Sequence, residues 1–226
     1  MVKKGFTLIE MLVVISIISM LAGQLLPSLS SARERGRQAN CINNLKQFSL
    51  AIEMYYQDYQ DYPPWLSKLF PTYISTKGSF FCLTDRDRGA IGHGHESFPE
   101  TNDIPPENIP GENYSAPYTG GLAGFNARNP EITACSYIYE FNPNECQWFM
   151  LDKTPAQIAE ADKDGDGTVS WKEAKLWQAA YEGKRGQVPI VRCFWHYRNY
   201  GQKVLNLAFK DYNVFDSWPE WETSSY

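Results

Sequence analysis

Histidine is scarce in this sequence: 226 residues contain only three. No GxSxG, HExxH, Walker phosphate loop or dinucleotide-binding glycine fingerprint occurs. These absences exclude the commonest hydrolase, metalloprotease, nucleotide and dehydrogenase sites, and the chain reads as a non-enzyme. No two cysteines form a CxxC pair, so a zinc ribbon and a thioredoxin-like motif have no support. Charge of one sign is also lacking. The net charge is −5 and the basic residues are scattered, so no pull toward nucleic acid is expected. Internal repeats are absent. The longest absence is local: residues 11–32 carry no charge at all.

That uncharged stretch spans about 33 Å as a helix, which matches a hydrocarbon core of roughly 30 Å. Its most apolar part is "MLVVISIISMLAG", Met11 to Gly23. Glu10 stands at its entrance, where an unpartnered carboxylate costs a few kcal/mol in lipid. A secretory signal cleaved near Ala22-Gly23 is the competing reading, and it leaves Glu10 without a purpose. Apolar residues then recur at spacings of three and four: Ile42, Leu45, Phe48, Ile52, Tyr55 and Tyr59. This is one stripe of an amphipathic helix. Pro63-Pro64 ends it, and Pro27 is expected to kink or locally melt it.

Beyond Pro63 the pattern shortens. Trp65–Ser75 reads as a short helix or turn, and Phe80–Leu83 as a short strand. Residues 84–134 form a long loop rich in Gly, Pro and Asn. Residues 136–141 and 147–151 read as strands, followed by 188–195, 203–209 and 212–216 as a meander with its first turn at 199–202. A small antiparallel sheet packed on the second half of the long helix is expected.

Residues 162–173, "DKDGDGTVSWKE", follow the offsets of an EF-hand loop. Asp162, Asp164 and Asp166 fill positions 1, 3 and 5. Gly167 makes the turn at position 6, Thr168 offers its carbonyl at 7, and Ser170 serves at 9. Glu173 closes the loop at 12. Thr154 and Pro155 are suited to cap and start the preceding helix. Hard oxygen donors point to Ca²⁺, held as a structural clamp since only one loop is present.

Other candidates have plainer readings. His93 and His95 with Glu96 could bind a metal, but a glycine-rich loop without a fourth ligand reads as exposed turn. Cys193 and His196 could form a thiol–imidazole pair; in an exported strand a disulfide or core cysteine is the simpler reading. Cys82, Cys135, Cys146 and Cys193 are the candidates for one or two disulfides, with the pairing open. Seven Trp and fourteen Tyr could build a sugar-binding face, though a small sheet core uses the same residues.

The opening, Lys4-Gly5-Phe6-Thr7-Leu8-Ile9-Glu10 before an apolar run, resembles the prepilin signal of type IV pilins and type II secretion pseudopilins. The stretch from "ARERGRQANCINNLKQ" to "DYPP" is similar to prepilin-like proteins of planctomycete- and verrucomicrobia-type bacteria. So is the C-terminal "VPIVRCFWH…KVLNLAFKDYNV", although His196 and Asp211 lie farther apart than in the common form, and Tyr212 replaces its Gly. The resemblance implies an α+β, pilin-like fold: a long N-terminal helix on a small antiparallel sheet, here with an EF-hand helix-loop-helix. It implies a leader at 1–5, a helix at 6–61 with 6–32 as the transmembrane and assembly part, and a domain at 62–226 that includes the EF-hand at 154–182. Prepilin peptidase would cut between Gly5 and Phe6 and methylate the Phe6 amine. Glu10 would then meet the Phe6 amine of a neighbouring pilin subunit. The implied protein is a calcium-stabilised filament subunit, stored single-pass in the inner membrane with its C-terminal domain periplasmic or extracellular. A type II secretion pseudopilin is the near alternative, and a membrane-tethered glycan- or partner-binding protein is the alternative of another class.

Overall fold

A computed structural model describes residues 7–86, 88, 129, 131–132, 135–143, 145–181, 188–196 and 204–217. The chain divides into two compact units, Met1–Ala39 and Asn40–Tyr226. One helix, α1 (Leu8–Tyr59), contributes to both.

In the first unit α1 exposes apolar side chains all round, from Leu8 and Ile9 to Leu26 and Leu29. It is long and apolar enough to cross a membrane, and none of its apolar window is buried. Two of its hydroxyls are satisfied internally: Ser16 and Ser19 donate to the carbonyls of Leu12 and Ile15 at 2.8 and 2.7 Å. Residue 27 is helical, so the expected local melting at Pro27 does not occur. Long apolar helices tolerate the single lost N–H because the turns on either side remain bonded.

In the second unit, Cys41, Leu45, Phe48, Ile52 and Tyr55 form the buried stripe of α1. The expected stripe was one position off at its start: Ile42 is 38% exposed and Cys41 faces the core. It also stops early, since Tyr59 is half exposed. Phe48 meets Phe80 and Tyr137 edge-on at 5.4 and 5.2 Å. Burial of these large faces is the main favourable contribution to this core, at about 25 cal/mol per Å² of apolar surface.

The sheet has four antiparallel strands in chain order: β1 (Ile138–Tyr139), β2 (Pro189–Cys193), β3 (Val204–Ala208) and β4 (Val214–Ser217). Tyr139 pairs with Val191, Cys193 with Leu205, and Leu207 with Val214. With α1 this gives the α+β, pilin-like fold. The expected strands at 136–141, 188–195 and 203–209 each contain one of these, and 212–216 overlaps β4 at Val214–Asp216; the 199–202 turn lies outside the described residues.

Two expected strands do not form, at 80–83 and 147–151. Phe80 closes a 3-10 turn, Lys77–Phe80, and its carbonyl accepts from Ser136 N–H. Residues 147–151 belong to α2 (Gln147–Asp152). Cys146 and Phe149 are both buried there, three residues apart, which is helical rather than alternating burial. Two more helices follow, α3 (Pro155–Ala161) and α4 (Trp171–Tyr181). Thr154 and Gln157 form a reciprocal capping box, with Pro155 opening α3 as its sequence implied.

Candidate functional site

Among the described residues, three places gather chemistry-bearing groups. The first is the start of α1. Gly5 and Phe6 lie outside the described residues. Glu10 has partners within its own chain: the N–H and hydroxyl of Thr7 donate to Glu10 Oε2 at 2.8 and 2.7 Å. Glu10 N–H is 3.3 Å from Thr7 Oγ1. This is the reciprocal Thr-x-x-Glu capping box, which satisfies N–H groups that a helix start leaves open. The motif was visible in "TLIE" and corrects the picture of an unpartnered carboxylate.

The second place is the loop between α3 and α4. Asp162, Asp164 and Asp166 converge, with one oxygen of each within 4.8 Å of the others. Backbone N–H groups orient them. Gly165 and Gly167 donate to the two oxygens of Asp162 at 2.7 and 3.0 Å, and Thr168 donates to Asp166 Oδ1 at 2.7 Å. Gly167 sits at φ +90°, where a side chain is strained. Glu173 braces the loop from the opposite end, accepting from Lys163 and Ser170 N–H at 2.8 and 2.9 Å. Partial desolvation raises the Asp162 carboxyl, but the Gly167 and Gly165 bonds outweigh it and hold its pKa below the ordinary value. For Asp164 the Asp166 N–H pulls downward, yet desolvation and the charges of Glu173 and Asp166 leave its pKa raised. The three converging carboxylates are hard oxygen donors of the kind a divalent cation takes.

This loop is tied to the domain. Cys146 N–H donates to the Val169 carbonyl at 2.7 Å, and Glu145 bridges Ser170. The segment that backs the loop is thus a short edge, not a second acidic loop. Trp177 Nε1 donates to Glu160 at 3.3 Å, joining α4 to α3. Lys175 of α4 meets Glu140 at 3.0 Å, and Glu140 also takes Arg192 of β2 at 3.1 Å. All three are buried. Arg192 continues to Asn206 of β3 at 3.0 Å.

The third place was not anticipated. Cys41 of α1, Cys82, Cys193 at the end of β2 and His196 bring three sulfurs and one imidazole nitrogen within 4.8 Å of one another. None of the five cysteines is disulfide-bonded, which corrects the expectation for Cys82, Cys135, Cys146 and Cys193. The fold places Cys82 and Cys193 with Cys41 and His196, while Cys146 sits in a separate apolar cluster with Phe149 and Trp177. His196 Nε2 lies 3.3 Å from Cys82 Sγ, and its Nδ1 lies 3.3 Å from Thr84 Oγ1. Contacts from the Cys193 and Cys41 thiols, and from His196, hold the Cys82 thiol well below the ordinary thiol pKa. Burial pushes Cys193 far up. His93, His95 and Glu96 lie outside the described residues.

With these sites in place, likeness to known proteins becomes informative. Residues 1–23 match the prokaryotic N-terminal methylation motif. Residues 30–82 match a family described as a protein of unknown function, DUF1559. Type II secretion system core protein G of Escherichia coli (strain K12) is 34% identical over 61 residues, 27% of this chain and 42% of that protein. The type IV wide pilus major component PilA4 of Thermus thermophilus is 44% identical over 59 residues, 26% of this chain and 45% of that protein. The chain thus spans less than half the length of these relatives. No solved structure matches. The motif, the apolar helix and these relatives support a likeness to type IV pilins and type II secretion pseudopilins. By name these relatives are a secretion-system core protein and a pilus major component.

Proposed function

We propose that the chain is a filament subunit stored as a single-pass inner-membrane precursor, with its C-terminal domain outside the cytoplasm. Prepilin peptidase cuts between Gly5 and Phe6 and the new Phe6 amine is methylated. Subunits then stack through α1, and Glu10 pairs with the Phe6 amine of a neighbour. The observation that carries this reading is the methylation motif over residues 1–23, standing on a helix whose apolar side chains are exposed all round. Such a surface needs lipid or other helices to cover it. The test is mass spectrometry of the mature N-terminus together with filament recovery. A chain starting at N-methylated Phe6 is expected, with filaments lost in Glu10→Ala. A mature chain starting at unmodified Met1 sinks the processing step. Surface display that persists without filaments in Glu10→Ala favours a tethered binding protein instead.

Likeness to core protein G supports a second reading, a pseudopilin of a type II secretion system. Deleting the subunit then blocks secretion of exoproteins without removing surface pili.

The acidic loop serves as a calcium clamp in this proposal. Asp162, Asp164 and Asp166 supply carboxylates, Thr168 its carbonyl, Ser170 a direct or water-mediated contact, and Glu173 a bidentate carboxylate. Convergence of the three aspartates supports it. Calorimetry on the full chain in detergent should show one Ca²⁺ site that Glu173→Gln abolishes. Neither heat of binding nor a calcium-dependent melting shift counts against it.

A further inference from the structure

We propose that Cys41, Cys82, Cys193 and His196 form a closed structural zinc site. Their donor atoms lie within 4.8 Å of one another. Thiolates about 2.3 Å from a tetrahedral zinc lie about 3.8 Å apart, so small adjustments close the site. The donor set explains what other readings leave over. A disulfide would consume two of the three sulfurs and strand the third beside an imidazole. Three thiolates and one neutral histidine are a complete tetrahedral set for zinc, with no position left for water or substrate.

The surroundings are those of a metal site. All four residues are at most 3% exposed, so the donors have no water to serve them. The Thr84 hydroxyl sits on His196 Nδ1, which leaves Nε2 facing Cys82. Such an outer contact fixes the ring's orientation and tautomer at metal centres. The Thr84 N–H points at Cys82 Sγ, 3.5 Å away. Three thiolates with Zn²⁺ leave one net negative charge, and that N–H is placed to offset part of it. Asn44, one turn from Cys41, donates to the Tyr137 hydroxyl at 3.0 Å and to the Phe81 carbonyl at 3.2 Å. The wall is therefore built by two of the segments that bring sulfurs, α1 and the stretch at Phe81–Cys82, joined by Tyr137 beside β1.

The role follows from where the ligands originate. Cys41 belongs to α1, Cys82 follows the 3-10 turn, and Cys193 ends β2 just before His196. One ion would cross-link three segments of the second unit that are far apart in sequence. Binding free energy of that kind is folding free energy.

The experiment is metal analysis of the full chain, purified in detergent micelles under reducing conditions with excess Ca²⁺ to fill the acidic loop. About one zinc per chain is expected. Cys82→Ser and His196→Ala should lower zinc content at least tenfold, while Cys135→Ser and Cys146→Ser retain it. His196→Cys keeps four soft donors and should retain zinc, which separates loss of a ligand from loss of the fold. Exchange for Co²⁺ should give the visible bands of tetrahedral cobalt with thiolate charge transfer, shifted in His196→Cys. The proposal is overturned if stripped, reduced wild-type protein takes up less than about a tenth of an equivalent of Zn²⁺ against the one expected of a closed site. It is equally overturned if iron fills the site, if Cys135→Ser or Cys146→Ser lose zinc as Cys82→Ser does, or if peptide mapping finds a disulfide among Cys41, Cys82 and Cys193.

Discussion

The acidic loop and the cysteine–histidine cluster gather candidate ion ligands in opposite ways. The loop takes its donors from twelve consecutive residues and leaves its aspartates largely in water. Exposed carboxylates are tolerable without a cation because solvent screens their repulsion. Hydrogen bonds from Gly165, Gly167 and Thr168 hold the loop's shape in the meantime. The cluster takes its donors from residues as distant as Cys41 and His196 and buries all of them. No solvent is available there, so its polar groups must satisfy one another or an ion. A local hard-ion site can thus be optional for folding, whereas a dispersed soft-ion site is part of the core.

Chelation provides the strongest test of that difference. Structural zinc contributes about 10–16 kcal/mol of apparent binding free energy in small domains, part of which appears as stability. Stripping zinc from reduced protein should therefore cause the larger fall in Tm and a loss of cooperative unfolding. Removing calcium with a selective chelator should cost only about 2.7 kcal/mol at a calcium concentration of 100 Kd. That is roughly 5–10 °C for a chain of this size. Scanning calorimetry with each chelator separately checks the order. Equal shifts would break the contrast.

Glu140 tests whether the acidic loop is independent of the sheet. Its carboxylate lies between Lys175 and Arg192, and all three side chains are buried. Glu140→Gln leaves two buried cations without their counter-charge, which should cost about 3–5 kcal/mol. Urea unfolding of the variant measures this. Lys175 and Glu173 share α4, so the same variant should also weaken calcium binding. An unchanged calcium affinity would mean that the loop does not sense the sheet.

What could be read from the sequence follows the same division. The loop was legible because its donors alternate in one stretch and a glycine stands where φ must be positive. The stripe of α1 was legible from Leu45 to Tyr55 and missed at both ends. Spacings of three and four admit either Ile42 or Cys41 at the start, and only the packed partners decide. Only Cys193 and His196 stand close together in sequence; Cys41 and Cys82 each arrive alone, which hid the cluster as a whole. Residues 147–151 were misread because a five-residue apolar segment cannot separate a period of two from 3.6. The Thr7–Glu10 box has the Thr-x-x-Glu spacing, which marks a cap only where a helix begins, here at Leu8.

Glycine substitutions should give a smaller effect and sharpen the contrast within the loop. At Gly167, φ is +90° and an added Cβ would meet nothing within 4 Å. The cost of Gly167→Ala is then backbone strain alone, about 1–2 kcal/mol. It should appear as a lower calcium affinity in calorimetry. Gly36, in α1, also has open space around it and no positive φ. Gly36→Ala should leave calcium binding untouched and stabilise the helix by about 0.5–1 kcal/mol.

The smallest effect concerns the start of α1, where two roles of Glu10 can be separated. Thr7→Val keeps the branched shape but removes the hydroxyl that donates to Glu10. Loss of a helix cap costs about 0.5–2 kcal/mol, typically near 1. Amide exchange near residue 10 should rise modestly in this variant, and also in Glu10→Ala, since both open the box. Filaments distinguish the two. If Glu10 serves only its own helix, the variants should impair assembly equally. If its main partner is the amine of a neighbouring subunit, Thr7→Val assembles nearly as wild type and only Glu10→Ala fails. The second outcome is expected, because both Thr7 bonds land on one carboxylate oxygen, Oε2. A carboxylate can accept further bonds on its two oxygens, so capping its own helix and pairing with a neighbour are compatible.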